Sequence, residues 1–304
     1  MKPGLRNSVP YVAGASVLVI LLFLSVMLRH TEGESAEYAG SPERIVSLAP
    51  SVTEILFSLG LDDRIAGVTD FCDYPAEARQ KPTIGGFKGK SLEAIVGLNP
   101  DLVIGTRDGN QRNIIQKLNR LGIRVFTTEP ATLTGVIESV RKIGKVTDQQ
   151  EQAEELARRL ERRLVRVSSR VQDADRAKVL FVYDREHMIL AGPGTFADDM
   201  IRWAGGENLA ADARMPYPRF SMETVLSRRP EVIVEGVMGS QAGEGSGARE
   251  FWTRWESLPA VKNDRILLMD QDLLARPGPR IFDGLYKLAR ALHPERFADK
   301  EQNL

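Results

Sequence analysis

The sequence predicts an α/β protein with two Rossmann-like lobes, whose parallel sheets are joined by a single long helix, and a transmembrane segment that precedes them. Three observations lead to this prediction. Short apolar runs of strand type alternate with amphipathic helical patterns along the chain, as expected for parallel β-α-β units. One helical pattern near the middle is much longer than the others, and one motif occurs on both sides of it.

The repeated motif is FKGKSLEAIVGLNPD at residues 87–101 and YPRFSMETVLSRRPE at residues 217–231. Each copy has an aromatic residue, a Ser-x-Glu triplet and a proline followed by an acid, and corresponding positions lie 130 residues apart. The corresponding pairs are Phe87 and Tyr217, Ser91 and Ser221, Glu93 and Glu223, and Pro100 and Pro230. Because the order of strands and helices around the motif also repeats, we interpret the two lobes as related by internal pseudo-symmetry.

The composition limits the classes of function. The chain has 304 residues, of which 42% are hydrophobic and 27% are charged, which allows a sizeable core and a soluble surface. Lys+Arg and Asp+Glu both number 41, so the charge balance does not indicate nucleic acid as a partner. Cys72 is the single cysteine, which excludes an internal disulfide and a cysteine zinc cluster.

The N-terminus contains an apolar run. Residues 9–28 (VPYVAGASVLVILLFLSVML) have no charge and match the roughly 20 residues that a helix needs to span a bilayer. Lys2 and Arg6 precede the run and favour a cytoplasmic N-terminus. We predict that residues 1–28 are a membrane anchor, with a cleaved signal peptide as the alternative, and that the polar residues 29–43 are a tether. Either interpretation places the rest of the chain in the periplasm or another extracytoplasmic space.

Residues 44–146 are predicted to form the N-terminal lobe. Its first strand, RIVSLA, precedes the helix SVTEILFSLG, in which Ser51 and Glu54 have the spacing of a capping box and Gly60 ends the helix. Further strands are predicted at residues 64–69, 102–105 and 123–128, and further helices at residues 91–98, 110–121 and 133–145. The helix at 110–121 has an apolar face formed by Ile114, Ile115, Leu118 and Leu121.

Residues 147–174 are predicted to form the bridging helix. Thr147 and Gln150 have the spacing of a capping box. A single apolar stripe is formed by Leu156, Leu160, Leu164, Val167 and Val171. A helix of this length would measure about 40 Å, which is longer than one lobe is wide. We interpret it as a rigid connection between the lobes, with a solvated helix packed along one side as the alternative.

Residues 175–297 are predicted to form the C-terminal lobe, in which the alternation resumes. Strands are predicted at residues 179–183, 231–236 and 265–270, and helices at residues 195–204, 221–226, 249–257 and 279–292. The loop GSQAGEGSGA at residues 239–248 has neither a Walker lysine nor a GxGxxG sequence that opens a helix. We therefore interpret it as a flexible loop rather than a phosphate site.

Five segments of the chain carry a resemblance to a known family: GVTDFCDYPAEA, GGFKGKSLEAIVGLNPDLVIG, DGNQRNIIQKLNRLGIRV, RMPYPRFSMETVLSRRPEVIV and DQDLLARPGPRI. They resemble the periplasmic cobalamin-binding proteins of vitamin-uptake ABC transporters, within the wider class that also captures iron-siderophores and haem. The resemblance extends over residues 44–293. It implies that a monomer with no resident cofactor binds cobalamin or a related corrinoid between its lobes. The loaded protein would then dock on the permease of an ABC importer, which works with its ATPase.

The resemblance also implies a set of site residues. Family positions that line the cleft correspond to Phe71, Phe87, Thr106, Met188, Ile189, Tyr217, Asp272, Leu273 and Arg276, and Arg107 lies beside them in sequence. Thr106 and Leu273 replace aromatic residues, which removes stacking area and leaves a corrinoid other than cobalamin as an alternative. Glu93 and Glu223 match the two glutamates with which the family contacts arginines of the permease. Their alternative role is at the N-termini of helices.

Other functions remain open at this point. Arg107, Arg112 and Arg276 are cationic groups of the kind that meet anionic siderophores or haem propionates, and His187 lies near the expected cleft, where it could contact a metal centre. A membrane-anchored sensor that no longer transports is a third possibility. The chain contains no HExxH, GxSxG or Walker sequence, so we do not expect an enzyme.

Overall fold

A four-stranded parallel sheet organises the N-terminal lobe of the structure, which is a computed structural model that describes residues 40–86, 89, 91–107, 112–237 and 247–298. The predicted membrane segment and most of the predicted tether lie outside these residues. Among the residues described, no helix combines the length and apolar character needed to cross a membrane. The chain from Pro42 onward forms one compact unit.

The N-terminal sheet has the strand order β2-β1-β3-β4, and every pairing in it is parallel. Its strands are β1 (Ile45–Ser47), β2 (Ile65–Gly67), β3 (Leu102–Thr106) and β4 (Val125–Thr128). Its helices are α1 (Pro50–Ser58), α2 (Leu92–Gly97), α3 (Arg112–Arg120) and α4 (Leu133–Val146). The central strands β1 and β3 are almost entirely buried, which explains why they are continuous apolar runs in the sequence.

The C-terminal sheet repeats this order. Strand β5 pairs with β8 on one side and with β6 and β7 on the other, and β9 lies beyond β8. Its strands are β5 (Ala177–Asp184), β6 (Ile189–Leu190), β7 (Gly206–Asn208), β8 (Val232–Val237) and β9 (Ile266–Asp270). The two halves of the chain therefore share the order of their parallel strands. The sequence predicted a parallel sheet, and this is not wholly correct, because β6 returns antiparallel to β5 through a hairpin.

Helices flank the C-terminal sheet and complete the lobe. They are α6 (Phe196–Trp203), α7 (Met222–Arg228), α8 (Ala248–Thr253), α9 (Pro259–Lys262), α10 (Asp272–Ala275) and α11 (Ile281–Leu292), with α5 (Gln150–Val171) before the lobe. The helix predicted at residues 249–257 is interrupted after Thr253, and a separate turn of helix begins at Pro259. Proline is favoured in the first turn of a helix because its missing N–H has no partner to lose there.

The bridging helix α5 packs against both lobes. The five residues of its predicted apolar stripe are all buried, within one apolar cluster that includes Ile45 of β1 and Phe282 of α11. At Gly144 of α4 a Cβ atom would lie 2.1 Å from the Cβ of Ala153, so the two helices cross closely there. Arg141 on α4 binds Glu154 and Glu161 on α5 at 2.8 and 2.9 Å. These contacts hold α5 along most of its length of about 33 Å.

Both predicted capping boxes are wrong. Helix α1 begins at Pro50 with Ala49 at its N-cap, so Ser51 and Glu54 lie inside the helix. Thr147 ends α4, where its Oγ1 donates to the carbonyl of Ile143 at 2.7 Å. The hydroxyl of Thr147 therefore satisfies a backbone carbonyl of α4 and does not cap α5.

On α3, the predicted apolar face is only partly buried. Ile114 and Leu118 lie in the core, whereas Leu121 is 57% exposed just beyond the end of the helix. The chain turns at Gly122, whose φ of 74° is in the left-handed region that glycine adopts without strain. Leu121 therefore points away from the face that the helical period predicts.

Candidate ligand-binding site

A cavity of about 180 Å³ lies where the two lobes meet. The N-terminal lobe contributes residues 48–51 after β1, together with Thr69, Phe71 and Thr106. The C-terminal lobe contributes Ala275, the last residue of α10, together with Arg276 and Pro277, which follow this helix. These segments follow the carboxyl ends of parallel strands, the edge at which α/β sheets commonly bind ligands.

Large apolar side chains are exposed in the segments around this edge. Phe71 is 53% exposed, Tyr74 47%, Met215 56% and Tyr217 58%. The ring of Tyr217 meets that of Tyr183, at the end of β5, in an edge-to-face arrangement with centroids 5.5 Å apart. Because these rings are exposed and not packed in the core, they can stack on a flat ligand without disrupting the core.

The segment that contains Tyr217 is held against the chain after β6. The backbone N–H of Gly192 donates to the carbonyl of Pro216 at 2.8 Å, and that of Leu190 donates to the carbonyl of Pro218 at 3.0 Å. A Cβ atom at position 192 would lie 2.4 Å from the carbonyl oxygen of Met215. Only glycine allows the two backbones to approach this closely.

Two arginines of the segment ARPGPR bind carboxylates of the N-terminal lobe. Arg276 donates through Nη1 to Oδ1 of Asp73 at 2.6 Å, and its Nε forms an ion pair with Oδ1 of Asp272 at 2.8 Å. Arg280 donates through Nη2 to Oε1 of Glu54 at 2.6 Å and lies over the ring of Tyr74, 4.0 Å from its centroid. The lobes are therefore joined by ion pairs beside the cavity.

Burial and charge act differently on the three carboxylates. Burial raises the pKa of Glu54, and the hydrogen bond and charge of Arg280 only partly oppose this. Burial also raises the pKa of Asp272, and the nearby Asp270 and Asp73 add to the rise against the effect of Arg276. For Asp73, burial is outweighed by the hydrogen bond and charge of Arg276, so its pKa is lowered. Asp73 is thus the carboxylate held most firmly in its ionised form.

The structure places the predicted ligand residues at different distances from the cavity. Phe71, Thr106 and Arg276 line the cavity, Asp272 contacts Arg276 beside it, and Tyr217 is exposed on the C-terminal lobe. Arg107 is largely exposed and binds Glu129 at 2.8 Å, and Ile189 is half-buried in β6. Phe87 and the side chain of Arg112 lie outside the part of the chain that the structure describes.

Met188 and Leu273 are each only 7% exposed. Met188 packs in the core cluster beneath the C-terminal sheet. The backbone of Leu273 lies against Gly284 of α11, where a Cβ atom would be 2.0 Å from the Leu273 carbonyl oxygen. The structure therefore places both side chains in the packing that supports the site rather than on the surface of the cavity.

Glu93 and Glu223 occupy equivalent places in the two lobes. Each lies in the first turn of a short helix, two residues after a serine N-cap whose hydroxyl accepts from the backbone N–H of Ala94 or Thr224. Both glutamates are exposed. The pKa of Glu93 is lowered by its own backbone N–H and by Ser91, and that of Glu223 by Ser221 and by its own backbone N–H. Both carboxylates are therefore ionised and accessible.

Sequence analysis missed the pairing of Glu54 with Arg280 and of Asp184 with His187. A charged residue inside the apolar run SVTEILF was the available signal for the first, because a buried acid needs a partner. For the second pair, the signal was the Asp-x-x-His spacing. At this spacing an aspartate can accept hydrogen bonds from both the backbone N–H and the side chain of the histidine in the same turn.

Comparison with known proteins agrees with this geometry. A family model described as periplasmic binding protein matches residues 45–273, a range that includes every strand of both sheets. The chain belongs to the periplasmic binding protein family. Membership in this family supports a periplasmic location and a role in binding.

Three known proteins are similar to this chain over nearly their whole length. A vitamin B12-binding protein of Vibrio vulnificus is 28% identical over 284 residues, which are 93% of this chain and 97% of that protein. The crystal structure of the periplasmic vitamin B12-binding protein of Vibrio cholerae has a TM-score of 0.73 and 28% identity, covering 86% of this chain and 99% of its own. The structure of the periplasmic haem-binding protein of Roseiflexus has a TM-score of 0.74 and 28% identity, and the similarity covers 84% of this chain and 100% of that protein.

Proposed function

We propose that this chain is an extracytoplasmic solute-binding protein that captures cobalamin or a related corrinoid in the cleft between its lobes and delivers it to an ABC importer. The observation that carries this proposal is the charge balance of the cavity. Arg276 is the one charged residue among the described residues that line it, and this arginine is already bound by Asp73 and Asp272. Such a cavity favours a ligand whose periphery is made of uncharged amides over one with carboxylates.

The exposed rings fit the same class of ligand. A corrin is a large, flat and mostly apolar ring with an amide fringe, and it needs aromatic and aliphatic surface with scattered hydrogen-bond donors. Phe71 at the cavity and Tyr217 on the opposite lobe are more than half exposed. The cavity itself holds only one edge of such a ligand, and the remainder would lie against these rings.

Delivery to the importer rests on Glu93 and Glu223. Two ionised glutamates in equivalent first turns of the two lobes match a permease with two equivalent cationic pockets. The partners in this proposal are the permease with its ATPase, and the binding protein acts as a monomer. The N-terminal apolar segment would hold the chain at the membrane, close to that permease, if it is retained as an anchor.

A second candidate is a haem or iron-siderophore binding protein. Arg214 and Arg219 flank Tyr217 and are exposed, and exposed arginines are suited to carboxylate ligands. The similarity to the haem-binding protein of Roseiflexus, at 28% identity, supports the same alternative. The two candidates differ in whether the ligand is recognised through its charge.

The deciding experiment measures thermal unfolding of the full-length chain with cyanocobalamin, dicyanocobinamide, haemin or ferric siderophores. A ligand at 100 times its dissociation constant stabilises by about 2.7 kcal/mol, a rise in Tm of roughly 5 °C or more for a chain of this size. We expect this rise with the corrinoids. A rise with only haemin or siderophores would overturn the corrinoid assignment.

A charge variant separates the two candidates further. Replacing both Arg214 and Arg219 by glutamine should leave corrinoid affinity unchanged, because an amide fringe does not depend on these charges. The same variant should weaken binding of haemin by about tenfold or more if its propionates meet these arginines. Loss of corrinoid binding in this variant would show that the charges around Tyr217 have a role that the proposal does not include.

A further inference from the structure

A hairpin at the carboxyl end of β5 contains an Asp–His pair. Asp184 is the last residue of β5, His187 lies in the turn, and Ile189–Leu190 returns as β6. Strand β5 is parallel to β8 and β8 to β9, and the chain after β9 leads to the cavity. The hairpin therefore lies at the ligand-binding edge of the C-terminal sheet, and Tyr183, directly before it, contacts Tyr217.

Asp184 holds His187 through two hydrogen bonds. Its Oδ1 accepts from the backbone N–H of His187 at 3.0 Å, and its Oδ2 is 2.8 Å from Nδ1 of the imidazole. The pKa of Asp184 is lowered, first by the backbone N–H and then by the imidazole of His187, so the group is a carboxylate. Because a carboxylate only accepts hydrogen bonds, Nδ1 carries the proton. The lone pair of the neutral imidazole is therefore on Nε2.

The side chain of His187 is accessible to solvent. The side chain of His187 is 55% exposed, and within the described part of the chain no hydrogen bond to Nε2 is formed. The next residue, Met188, has a φ of 49° and is buried, and its carbonyl accepts from the backbone N–H of Phe220 at 3.2 Å. A non-glycine residue is kept in this strained region only where its surroundings hold it. The turn that presents His187 is thus fixed on the side next to Tyr217.

A histidine whose Nδ1–H donates to a carboxylate has the arrangement typical of a metal ligand, since the carboxylate sets the tautomer and raises the basicity of Nε2. The described residues contain no group of three or more metal-ligating side chains, so a free ion would not be held here. A metal that arrives inside a macrocycle needs only one axial ligand from the protein.

We propose that Nε2 of His187 coordinates the metal centre of the bound corrinoid, using the tautomer that Asp184 sets. This inference rests on the proposed function. In the step, the Nε2 lone pair forms a bond to cobalt and the bond from cobalt to an axial water breaks, so that the water leaves. The oxidation state of cobalt does not change, and the proton stays on Nδ1. A corrinoid with cyanide at both axial positions offers no site for this step.

The test compares diaquocobinamide with dicyanocobinamide bound to the full-length chain. We expect the absorption spectrum of bound diaquocobinamide to match that of diaquocobinamide with free imidazole, and the spectrum of bound dicyanocobinamide to remain unchanged. The His187→Ala variant should abolish the spectral change and weaken binding of diaquocobinamide by about tenfold or more, with unchanged affinity for dicyanocobinamide. Asp184→Asn, which removes the fixed tautomer, should weaken binding of diaquocobinamide by about 10–100-fold.

The outcomes are distinguishable. Binding of both corrinoids with no spectral change, or a spectral change that persists in His187→Ala, would overturn the coordination by His187 and leave the proposed function intact. Failure of the wild-type chain to bind either corrinoid would overturn both. Because the side chain of His187 is more than half exposed, we expect His187→Ala to fold with an unchanged Tm, which serves as the control for structural damage.

Discussion

Glu54 and Arg280 form a buried ion pair between the two lobes, with Nη2 and Nε of the arginine 2.6 and 3.0 Å from Oε1 of the glutamate. The two partners are not equally buried. The Glu54 side chain is 2% exposed and its Oε2 has no hydrogen-bond partner, whereas the Arg280 side chain is 19% exposed and also contacts the ring of Tyr74. Loss of the partner should therefore affect the carboxylate more than the guanidinium.

This asymmetry predicts unequal effects of removing each partner. Arg280→Met leaves a buried carboxylate without a cation and should lower the free energy of unfolding by about 3 kcal/mol or more. Glu54→Gln keeps a hydrogen-bond acceptor for Arg280, and the guanidinium keeps access to water. The free energy of unfolding should therefore fall by about 1 kcal/mol or less. Denaturant unfolding of the two variants measures the difference.

The double variant provides the control for this prediction. Glu54→Gln in the Arg280→Met background removes the unpaired carboxylate and should recover much of the lost stability. A double variant as unstable as the sum of the single variants would show that the two side chains do not interact. Arg163→Met is a suitable comparison, because it breaks the ion pair of Arg163 with Asp283. This pair joins the bridging helix to α11 and does not involve Glu54.

The carboxylate of Asp73 should make the folded protein less stable as the pH falls into the acid range. Its pKa is lowered from 3.8, so its contribution is fully present above this value and is lost as the pH falls through the native pKa. Asp73→Asn should therefore be less stable than the wild type at pH 7, and the difference should shrink as the pH falls below 3.8. Thermal unfolding of the two proteins across this range measures the effect, and a constant difference would contradict it.

Glu54 should show the opposite dependence. Its pKa is raised from 4.5, so its contribution is fully present below this value and is lost as the pH rises through the native pKa. The stability of the wild type relative to Glu54→Gln should consequently decrease as the pH rises above about 4.5. The two variants thus separate a carboxylate stabilised by its partner from one disfavoured by burial.

Docking on the permease should depend on both exposed glutamates. Glu93→Gln combined with Glu223→Gln should leave ligand affinity and stability within about 0.5 kcal/mol of the wild type, because the serine caps remain, and should abolish importer-dependent uptake of labelled corrinoid. The matched control is Ser91→Ala with Ser221→Ala. It removes two caps at about 1 kcal/mol each and should keep uptake, provided the protein stays folded. If the double glutamine variant still supports uptake, the two glutamates serve only to stabilise their helices and do not dock on the permease.

Tyr217 should contribute to ligand affinity. If its ring stacks on the ligand, Tyr217→Ala should weaken binding by roughly 1–3 kcal/mol with little change in Tm, because the ring is 58% exposed. Titration calorimetry with cyanocobalamin measures this effect. Leu121→Ala is the control, since Leu121 is 57% exposed and belongs to no part of the proposed site. Equal affinity of the wild type and Tyr217→Ala for the ligand would show that the ring of Tyr217 does not contact it.

The alternation of strands and helices in each lobe and the presence of one long helix between the lobes followed from the sequence alone. Buried parallel strands require continuous apolar runs, and a helix packed along one face requires a stripe of period 3.6, so both leave a local pattern. The pattern predicted residues 147–174 for a helix that extends over Gln150–Val171. Ser91 and Ser221, where two helices were predicted to begin, are the N-caps of those helices. The cap at Thr147 was wrong because its hydroxyl bonds to the preceding helix instead.

Only the tertiary structure decided which charged groups meet. Arg280 and Glu54 are 226 positions apart in the chain, and Arg276 and Asp73 are 203 apart. No periodicity relates residues at such distances, because a local pattern records which face of an element is apolar and not which side chain lies across from it. The same limit applies to Met188 and Leu273, which the folded chain buries. The sequence determined the scaffold and the candidate residues, and packing of the two lobes determined which of them are left to meet a ligand.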